Sequence, residues 1–470
     1  MKLFAFIHRW LGVVLGPFFA MWFFSGIVMM YVPFPSVSDE ERFTYMSPIN
    51  TEAITTTPAS AAAECGEAKI TGLRLIALDG RPAYICKFIE PTLQVVYADD
   101  GTRASPLRQE AIRRLVQRET DEIIEALIEV DYDQWTVHQK FDAQRPLYRI
   151  ELANSEGTHL YISPRTGELV QRTTSSQRFW NYIGSVPHWI YPTLLRKNWA
   201  LWDAVVWWLS LFAMLCAVIG VYLGGVHWMR VRRSLKKVFS PFRSWMKWHH
   251  ILGLVTGVFV VSWIVSGWLS MDHGRLFSTP NPTLQQVSAV SGGSFGEVSS
   301  RANIADLREH PAAVELNFHA FGGAAIVVSK NQQGAISAPM LEPSFVADVV
   351  DGAFPGVSVE RWSIVPSDDT YTKLREGSLP SGTVRVEMSD SSQTWVHIDG
   401  RSGEILSVLD RSRRVYRWLY NGVHSLDIPG LVDTRPLWDV LMLVLLLSGF
   451  AASSTGVVIG IKRVLAARQN

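Results

Sequence analysis

The sequence predicts a membrane α-helical protein: four transmembrane helices in a tandem pseudo-twofold duplication, with two α+β extracytoplasmic domains. Three observations carry this prediction. Four apolar segments are each long enough to cross a bilayer core of about 30 Å, which takes roughly 20 helical residues. Two long and more polar stretches separate these segments. The second half of the chain also repeats motifs of the first half.

The composition favours the membrane class. Hydrophobic residues make up 48% of the 470 residues and 18 are Trp, which is typical of a membrane protein. The net charge of +1 gives no case for nucleic acid as a partner. The three cysteines show no disulfide-scaffold or zinc-site spacing. Cys65 and Cys86 can form a single disulfide if their segment lies outside the cytoplasm.

The predicted spans cover about 10–32, 201–224, 251–271 and 437–461. The first span resembles a signal peptide in position. Its apolar run is too long for one, however, and no small-x-small cleavage site follows it. We therefore expect an anchor that stays in the membrane.

Basic residues predict the orientation of the spans. The connection between the second and third spans carries seven basic residues and no acidic one: Arg230, Arg232, Arg233, Lys236, Lys237, Arg243 and Lys247. Further basic residues flank the two ends of the chain: Lys2, Arg9, Lys462, Arg463 and Arg468. The positive-inside rule places both termini and this loop in the cytoplasm, where the loop also contacts membrane lipid. The long stretches over about 33–180 and 273–420 then lie outside.

These boundaries divide the chain into seven parts. They are TM helix 1 at 1–32, outer domain 1 at 33–180, an interfacial segment with TM helix 2 at 181–228, a basic cytoplasmic loop at 229–248, TM helix 3 at 249–272, outer domain 2 at 273–415, and an interfacial segment with TM helix 4 and a cytoplasmic tail at 416–470.

An internal repeat supports the duplication. THLYISPRTGEL at 158–169 matches TWVHIDGRSGEI at 394–405, an offset of 236 positions. The same offset aligns His188 with His424, Arg178 with Arg414, LWD at 201–203 with LWD at 437–439, and GVYLG at 220–224 with GVVIG at 456–460. At an offset of 241, HRWLG at 8–12 aligns with HHILG at 249–253, Trp22 with Trp263, and Ser25-Gly26 with Ser266-Gly267. We expect the two copies to pack about an axis along the membrane normal.

Each outer domain is predicted to be α+β. In the first domain LRLIAL, AYICKFI and LQVVYA have the composition of short strands. SPLRQEAIRRLVQRE at 105–119 is predicted to be a helix with Ser105 as its N-cap. Alternating residues around the NSEG and SPRTG turns predict a hairpin or meander, which the second domain repeats. The histidines of these domains (138, 159, 310, 319 and 397) do not recur at matched positions, so we interpret them as surface or structural residues.

These motifs together resemble the PepSY-associated transmembrane family. The HRWLG start of the first span, the hairpin ending in R-T/S-G-E, the histidine before LWD and the glycine-rich exit carry the resemblance, which covers nearly the whole chain. The outer domains would then be PepSY-like. Members of that family resemble bacterial inner-membrane proteins of iron uptake, including ferric-siderophore reductases with b-type haem. The resemblance therefore implies haem b as cofactor and a ferric siderophore as substrate.

Two pairs of histidines occupy matched positions in the two halves of the sequence: His8 with His249, and His188 with His424. Topology places the first pair at the cytoplasmic end of the spans and the second just outside them. Two imidazoles that face each other across an axis suit the two faces of one haem, whose iron takes neutral His as an axial ligand. Ionisable groups in membrane segments are costly and usually functional. An interfacial, solvated imidazole is the alternative for each of the four.

Other matched residues are weaker candidates for haem binding. Gly12 and Gly253 lie four residues after the inner histidines, with Gly16 and Gly257 one turn further, so they share a helix face with the histidines. They let a flat ring approach, although small residues also serve plain helix packing. Arg178 and Arg414 are candidates to pair with haem propionates, or are simply solvated.

The remaining charged residues near the spans are interpreted without a ligand role. Asp203 and Asp439 are expected to lie in the first turns of the second and fourth spans, where a carboxylate interacts favourably with the helix dipole. His227, His250 and His273 lack a matched histidine and are treated as non-ligands, with His250 the alternative to its neighbour His249. Arg9, the counterpart of His250, is interpreted as charge at the inner membrane face.

The matched histidines and the family resemblance together predict a bacterial inner-membrane electron-transfer protein. It would hold two haems, one near each membrane face, and the resemblance implies that it reduces a ferric chelate outside. No GxGxxG opens a βαβ unit, so the electron donor is a separate cytoplasmic reductase or a membrane quinol. One rival is a non-catalytic protein whose outer domains bind or regulate a peptidase or another envelope partner. A second rival is a metal-chelate transporter, although the spans show no broken helix pair.

Overall fold

The computed structural model describes residues 1–233, 238–273, 282–374 and 377–467. Lys236 and Lys237 of the predicted basic loop, and Arg468 of the predicted tail, lie outside the described residues. Within these ranges, the helices in chain order are α1 Lys2–Tyr31, α2 Asp39–Thr44, α3 Pro58–Cys65, α4 Gln109–Glu119, α5 Ser175–Ile183, α6 Ser185–His188, α7 Thr193–Arg196, α8 Trp199–Arg233, α9 Ser244–Ser270, α10 Leu284–Ser291, α11 Phe295–Ser299, α12 Ile304–Arg308, α13 Pro343–Ala353, α14 Arg411–Arg417 and α15 Leu437–Ala467.

Four of the described helices, α1, α8, α9 and α15, are long and apolar enough to cross a membrane. α8 and α15 contain the spans predicted at 201–224 and 437–461, whereas α1 and α9 begin before the predicted spans and end one residue short of them, at Tyr31 and Ser270. Only 17% of the most apolar window of α8 is buried inside the protein, and 33% of that of α1. Large apolar side chains such as Val14, Phe259 and Leu447 are exposed on these helices. Surfaces of this kind are suited to lipid, so the chain is a multi-pass membrane protein.

The four spans form a bundle in which each helix touches two neighbours. α1 packs against α15 and α8, and α9 packs against the same two helices. α1 and α9 therefore stand diagonally across the bundle. Leu15 and Phe19 of α1, Cys216 of α8, Trp263 of α9 and Trp438 of α15 belong to one buried apolar cluster at the centre.

The described strands form three antiparallel sheets outside the bundle. Their bounds are β1 Ile70–Leu78, β2 Arg81–Phe88, β3 Leu93–Tyr97, β4 Ile124–Val130, β5 Leu147–Leu152, β6 His159–Ile162, β7 Leu169–Thr173, β8 Ala313–Phe321, β9 Ala324–Asn331, β10 Ile336–Ser337, β11 Val359–Ile364, β12 Val384–Met388, β13 Trp395–Ile398 and β14 Ile405–Leu409. Strands β4–β7 form one four-stranded sheet and β11–β14 form another. The predicted strands and hairpins of both domains are thus present.

A third sheet joins the two outer domains, and the sequence did not predict this join. Its order is β10-β9-β8-β1-β2-β3, with β1 of the first domain antiparallel to β8 of the second. Each of these strands has nine residues, and their central residues, Arg74 and Asn317, face each other. The predicted helix at 105–119 is shorter than expected: α4 begins at Gln109, and Arg108 rather than Ser105 is its N-cap. Leu107 is held outside the helix because its N–H bonds the Pro164 carbonyl at 2.7 Å.

Cys65 and Cys86 form a disulfide that ties α3 to β2. Close to this region, a buried ion cluster spans the domain join. Arg74 bonds Glu168 of the first domain and Glu315 of the second at 2.9 and 2.8 Å, and Arg42 contacts both carboxylates. Burial alone would raise the pKa of Glu315, but Arg74 and Arg42 lower it to about 2. The cluster therefore holds two arginines and two carboxylates in their charged forms.

Replacing Glu315 with Gln is expected to lower the free energy of unfolding by about 3 kcal/mol, because two half-buried arginines lose a buried charged partner. Asp100→Asn, which disrupts the exposed pair with Arg81, should cost less than about 1 kcal/mol. The pKa of Glu315 is lowered from 4.5, so its stabilisation is present above pH 4.5 and is lost as the pH falls toward 2. Thermal unfolding of the purified chain between pH 7 and pH 3 measures both effects. Equal losses for the two variants would contradict the assignment.

Candidate functional site

The structure brings His8 and His249 together at one end of the bundle. His8 lies on α1 and His249 on α9, the two diagonal helices. Their ring centroids are 6.2 Å apart, and their planes are inclined by 31°. Neither imidazole lies on the lipid-facing side, since both line a cavity between the four spans. The pair therefore approaches one central space from opposite sides.

Both imidazoles are fixed by hydrogen bonds to neighbouring spans, His8 to α8 and His249 to α15. His8 Nδ1 donates to the Cys216 carbonyl on α8 at 3.0 Å. His249 Nδ1 lies 3.3 Å from the Ala452 carbonyl on α15 and 3.1 Å from Thr455 Oγ1. A carbonyl only accepts, so Nδ1 carries the hydrogen and Nε2 keeps a lone pair. This second bond is the usual means of orienting a metal-binding histidine.

Glycines make room for the two rings. A Cβ on Gly220 of α8 would lie 2.6 Å from His8 Cε1, and a Cβ on Gly456 of α15 would lie 3.2 Å from His249 Cε1. These two glycines begin the matched GVYLG and GVVIG motifs. His8 thus lies against α8, and His249 lies against α15.

The cavity between the histidines has a volume of about 410 Å³, within the usual range of about 300–1,000 Å³ for small-molecule sites. Gly12 and Gly253, which the sequence singled out, line it. A Cβ on either glycine would meet nothing within 4 Å. The two glycines therefore face open space, whereas Gly16 packs on Val457 and Gly257 on Val221.

His188 and His424 occupy matched positions at the opposite end of the bundle. His188 ends α6, which is followed by the short helix α7 and then by α8, and His424 follows the π-helical turn Trp418–Gly422. His188 Nδ1 lies 2.9 Å from Ser25 Oγ, and His424 Nδ1 lies 3.0 Å from Ser266 Oγ. Each serine donates its own hydrogen to a carbonyl three residues earlier. The serine oxygen therefore accepts from Nδ1, and Nε2 is again left with its lone pair.

The surroundings keep the outer pair neutral. Burial, together with the nearby His424, lowers the pKa of His188 to about 4, and burial also lowers the pKa of His424. A Cβ on Gly26 or Gly267 would lie 3.7 or 3.4 Å from the Cε1 of the respective histidine. Both imidazoles are thus in the unprotonated form that binds metals at pH 7.

Sequence reasoning missed the residues that hold these histidines. Ser25 and Ser266 were noted as matched without a role. The carbonyls of Cys216 and Ala452 carry no signal in the side chains, although the two residues are themselves 236 positions apart. Tyr420 was also missed; its ring stacks on His424 with centroids 5.5 Å apart.

Arg178 and Arg414 lie within the outer domains. Arg178 donates to the carbonyls of Thr173 and Gly157 at 3.2 and 2.8 Å, and Arg414 donates to those of Gln393 and Leu409 at 2.7 and 2.9 Å. These bonds join each hairpin to the helix that leads to the membrane. A role at haem propionates stays a prediction that these contacts do not support.

The unmatched histidines and the two aspartates have other contacts. Asp203 is the fifth residue of α8, past the first turn where it was expected, and lies 3.1 Å from His273 Nδ1. Asp439 does lie in the first turn of α15, where it pairs with Arg435. His250 Nε2 donates to the Gly224 carbonyl at 3.1 Å, on the far side from its neighbour His249.

The outer domains show no metal-binding cluster of three or more His, Cys, Asp or Glu side chains among the residues described. Their best-buried histidine, His397, is structural. Arg385 Nε donates to its Nε2 at 2.9 Å, and Ser407 Oγ lies 2.9 Å from its Nδ1. The ring of His397 is therefore held by side chains of its own sheet.

Comparison with known proteins agrees with this architecture. A family model described as the PepSY-associated TM region matches residues 5–463. The comparison with curated proteins finds no match. Because the family match runs from the first span to the last, the chain belongs to the PepSY-associated transmembrane family.

Proposed function

We propose that the chain is a bacterial inner-membrane protein that holds two b-type haems and passes electrons outward to reduce a ferric chelate. The observation that carries this proposal is the geometry of His8 and His249. Their rings face one cavity with centroids 6.2 Å apart. His8 Nδ1 bonds α8 and His249 Nδ1 bonds α15, which leaves the Nε2 of each ring available to bind a metal ion.

The spacing of the inner pair fits one metal ion between the rings. Imidazole nitrogens bind metal ions such as zinc at about 2.0–2.1 Å, so two rings on opposite sides of one ion have centroids about 6 Å apart. Gly12 and Gly253 leave open space on the cavity wall, where a flat macrocycle needs it. The residues present therefore fit haem iron with two axial histidines.

The outer pair supports a second haem. His188 and His424 share one feature with the inner pair: each Nδ1 is bonded, here to a serine of the first or third span, and each Nε2 keeps its lone pair. Two haem sites near opposite ends of one bundle are suited to electron transfer across the membrane. Haem supplies one-electron chemistry when bound, and the protein supplies axial ligands, burial and position.

The orientation is part of the proposal. The basic connection between α8 and α9 supports a cytoplasmic position for the inner pair, by the positive-inside rule. The Cys65–Cys86 disulfide supports an oxidising compartment for the outer domains, which is the periplasm in this proposal. The matched histidine contacts and the central pairing of β1 with β8 support a tandem duplication about one axis. Electrons would enter from a cytoplasmic reductase or a membrane quinol.

Replacing Ser25 or Ser266 with Ala is expected to weaken haem binding at the outer site about 10- to 100-fold. The reason is that such partners orient the ligating histidine and raise its basicity. Ser262→Ala is the matched control, because Ser262 bonds only the Phe259 carbonyl of its own helix. Haem titration of the haem-depleted chain measures the effect. Equal affinities for all three variants would count against the outer site.

The proposed activity is tested with the full chain in proteoliposomes. The protein is reduced with dithionite, freed of excess reductant and mixed with ferric nitrilotriacetate outside the vesicles. We expect reoxidation of the protein with one ferrous ion formed per electron released. Haem that stays reduced would contradict reductase activity, and movement of intact chelate into the vesicles would instead favour a transporter.

A further inference from the structure

The cavity at the inner histidines is bordered by two different pairs of side chains. Arg9 and Arg463 line it from the contacting helices α1 and α15, and His250 and His227 line it from the contacting helices α9 and α8. Arg9 aligns with His250 at an offset of 241, and His227 aligns with Arg463 at an offset of 236. The two sides are thus matched in position and differ in charge.

Helix packing places each pair at one level. α1 and α15 are in contact where Gly16 faces Val457 and Gly460 faces Val13. A Cβ on Gly16 would lie 3.5 Å from Val457 Cγ2, and a Cβ on Gly460 would lie 3.6 Å from Val13 Cα. Following these antiparallel helices one turn further brings Arg9 level with Arg463.

The same packing recurs between α8 and α9. Gly257 faces Val221, and Gly224 faces Leu254, where a Cβ on Gly224 would lie 3.3 Å from Leu254 Cδ2. His250 and His227 then lie one turn further, where the ring of Phe242 meets both imidazoles edge-on at 5.3 and 5.2 Å.

The arginine side lacks a counterion in the sequence. Residues 1–38, 204–271 and 440–470, which include most of the four spans and the loop between the second and third, contain no Asp or Glu. Arg9 and Arg463 thus provide two guanidinium groups at the border of an apolar cavity. Guanidinium groups bind carboxylates through paired, charge-assisted hydrogen bonds.

The two inner histidines determine where a flat ligand would meet these groups. His8 lies against α8 and His249 against α15, so the space between their rings opens toward the α1–α15 contact and the α8–α9 contact. A planar ligand between the rings therefore has one edge near the arginines and the opposite edge near His227 and His250.

We propose that Arg9 and Arg463 bind the two propionate carboxylates of the haem held by His8 and His249, and so fix its orientation in the cavity. This rests on the proposed function. The imidazole side is the weaker site for a carboxylate, because a guanidinium is always charged whereas an imidazole is not, and the Nε2–H of His250 is already bonded to the Gly224 carbonyl. The assignment replaces the charge-only interpretation of Arg9.

The test measures coupling between the arginines and the carboxylates. Haem-depleted full chain is titrated with haem b and with its dimethyl ester, which lacks the two negative charges. For the native chain we expect haem to bind at least about tenfold more tightly than the ester, a typical effect of charged hydrogen bonds. For Arg9→Gln with Arg463→Gln we expect the ratio at the inner site to approach one.

Two controls make the result specific. Lys462→Gln removes an equal charge beside Arg463 from a side chain that does not line the cavity, and His227→Gln changes the opposite side. Both should keep the native ratio. Haem at the outer site shows that each variant has folded.

Three results would overturn the proposal. An unchanged ratio in the double arginine variant places the carboxylates elsewhere. An unchanged ratio together with loss of co-purified anionic lipid assigns the arginines to lipid headgroups. A folded native chain that binds neither haem nor ester would refute the proposed function itself.

Discussion

Replacing His8 or His249 with Ala is expected to reduce the haem content from two per chain to one. In the proposed site the two imidazoles, whose ring centroids are 6.2 Å apart, would both hold the same haem, so loss of either ring removes half of its protein ligation. The outer pair, on the opposite end of the bundle, keeps its serine contacts in these variants. Haem per chain is measured by the pyridine haemochrome absorbance of purified protein.

His250→Ala is the matched control for this result. His250 follows His249 directly, yet its ring bonds the Gly224 carbonyl and packs against Phe242. We expect this variant to retain both haems. If His250→Ala lost a haem while His249→Ala kept both, the axial pair would be wrong.

Gly220→Ala is expected to weaken haem binding at the inner site because the added methyl group displaces His8. Its Cβ would lie 2.6 Å from His8 Cε1, so the imidazole must move. Overpacking of this kind costs about 1–3 kcal/mol, which corresponds to about 5- to 150-fold in affinity. Gly456→Ala should have a smaller effect, because its Cβ would lie 3.2 Å from His249 Cε1. Haem titration of the two variants measures the difference.

Gly225→Ala tests whether the effect is local. Gly225 is on the same helix, and a Cβ there would meet nothing within 4 Å. This variant should bind haem as the native chain does. A loss as large as that of Gly220→Ala would mean that general damage to α8, rather than displacement of His8, explains the result.

The spans and most strands were predictable because their signals are local. A run of about 20 apolar residues or an alternating pattern is visible within one segment. The pairing of β1 with β8 was not predictable, since it joins Leu73 to Phe318 across most of the chain. The start of α4 was misplaced because a tertiary contact of Leu107 with the Pro164 carbonyl outweighs the local signal of Ser105.

The repeated motifs singled out the four histidines, because each occupies a matched position in the two halves of the sequence. It could not show what holds them. Two of the supporting groups are backbone carbonyls, at Cys216 and Ala452, which any residue supplies. The repeat also suggested Arg178 and Arg414, whose matched roles lie in bonds to outer-domain carbonyls. Matched positions therefore indicate shared function or shared architecture, and only the contacts separate the two.

The differences between the copies are as informative as the matches. Arg9 and Arg463 stand where the other copy has His250 and His227. A haem carries both propionates on one edge, so a haem held between His8 and His249 would meet different partners at its two edges. The arginines on one side of the cavity and the imidazoles on the other would supply that difference.

The central claim is that this chain binds haem between its paired membrane histidines. The reduced-minus-oxidised absorbance spectrum of the purified full chain, produced with haem supplied, tests it most directly. We predict the α-band of b-type haem with two haems per chain. A folded, monodisperse protein without that band would contradict the account.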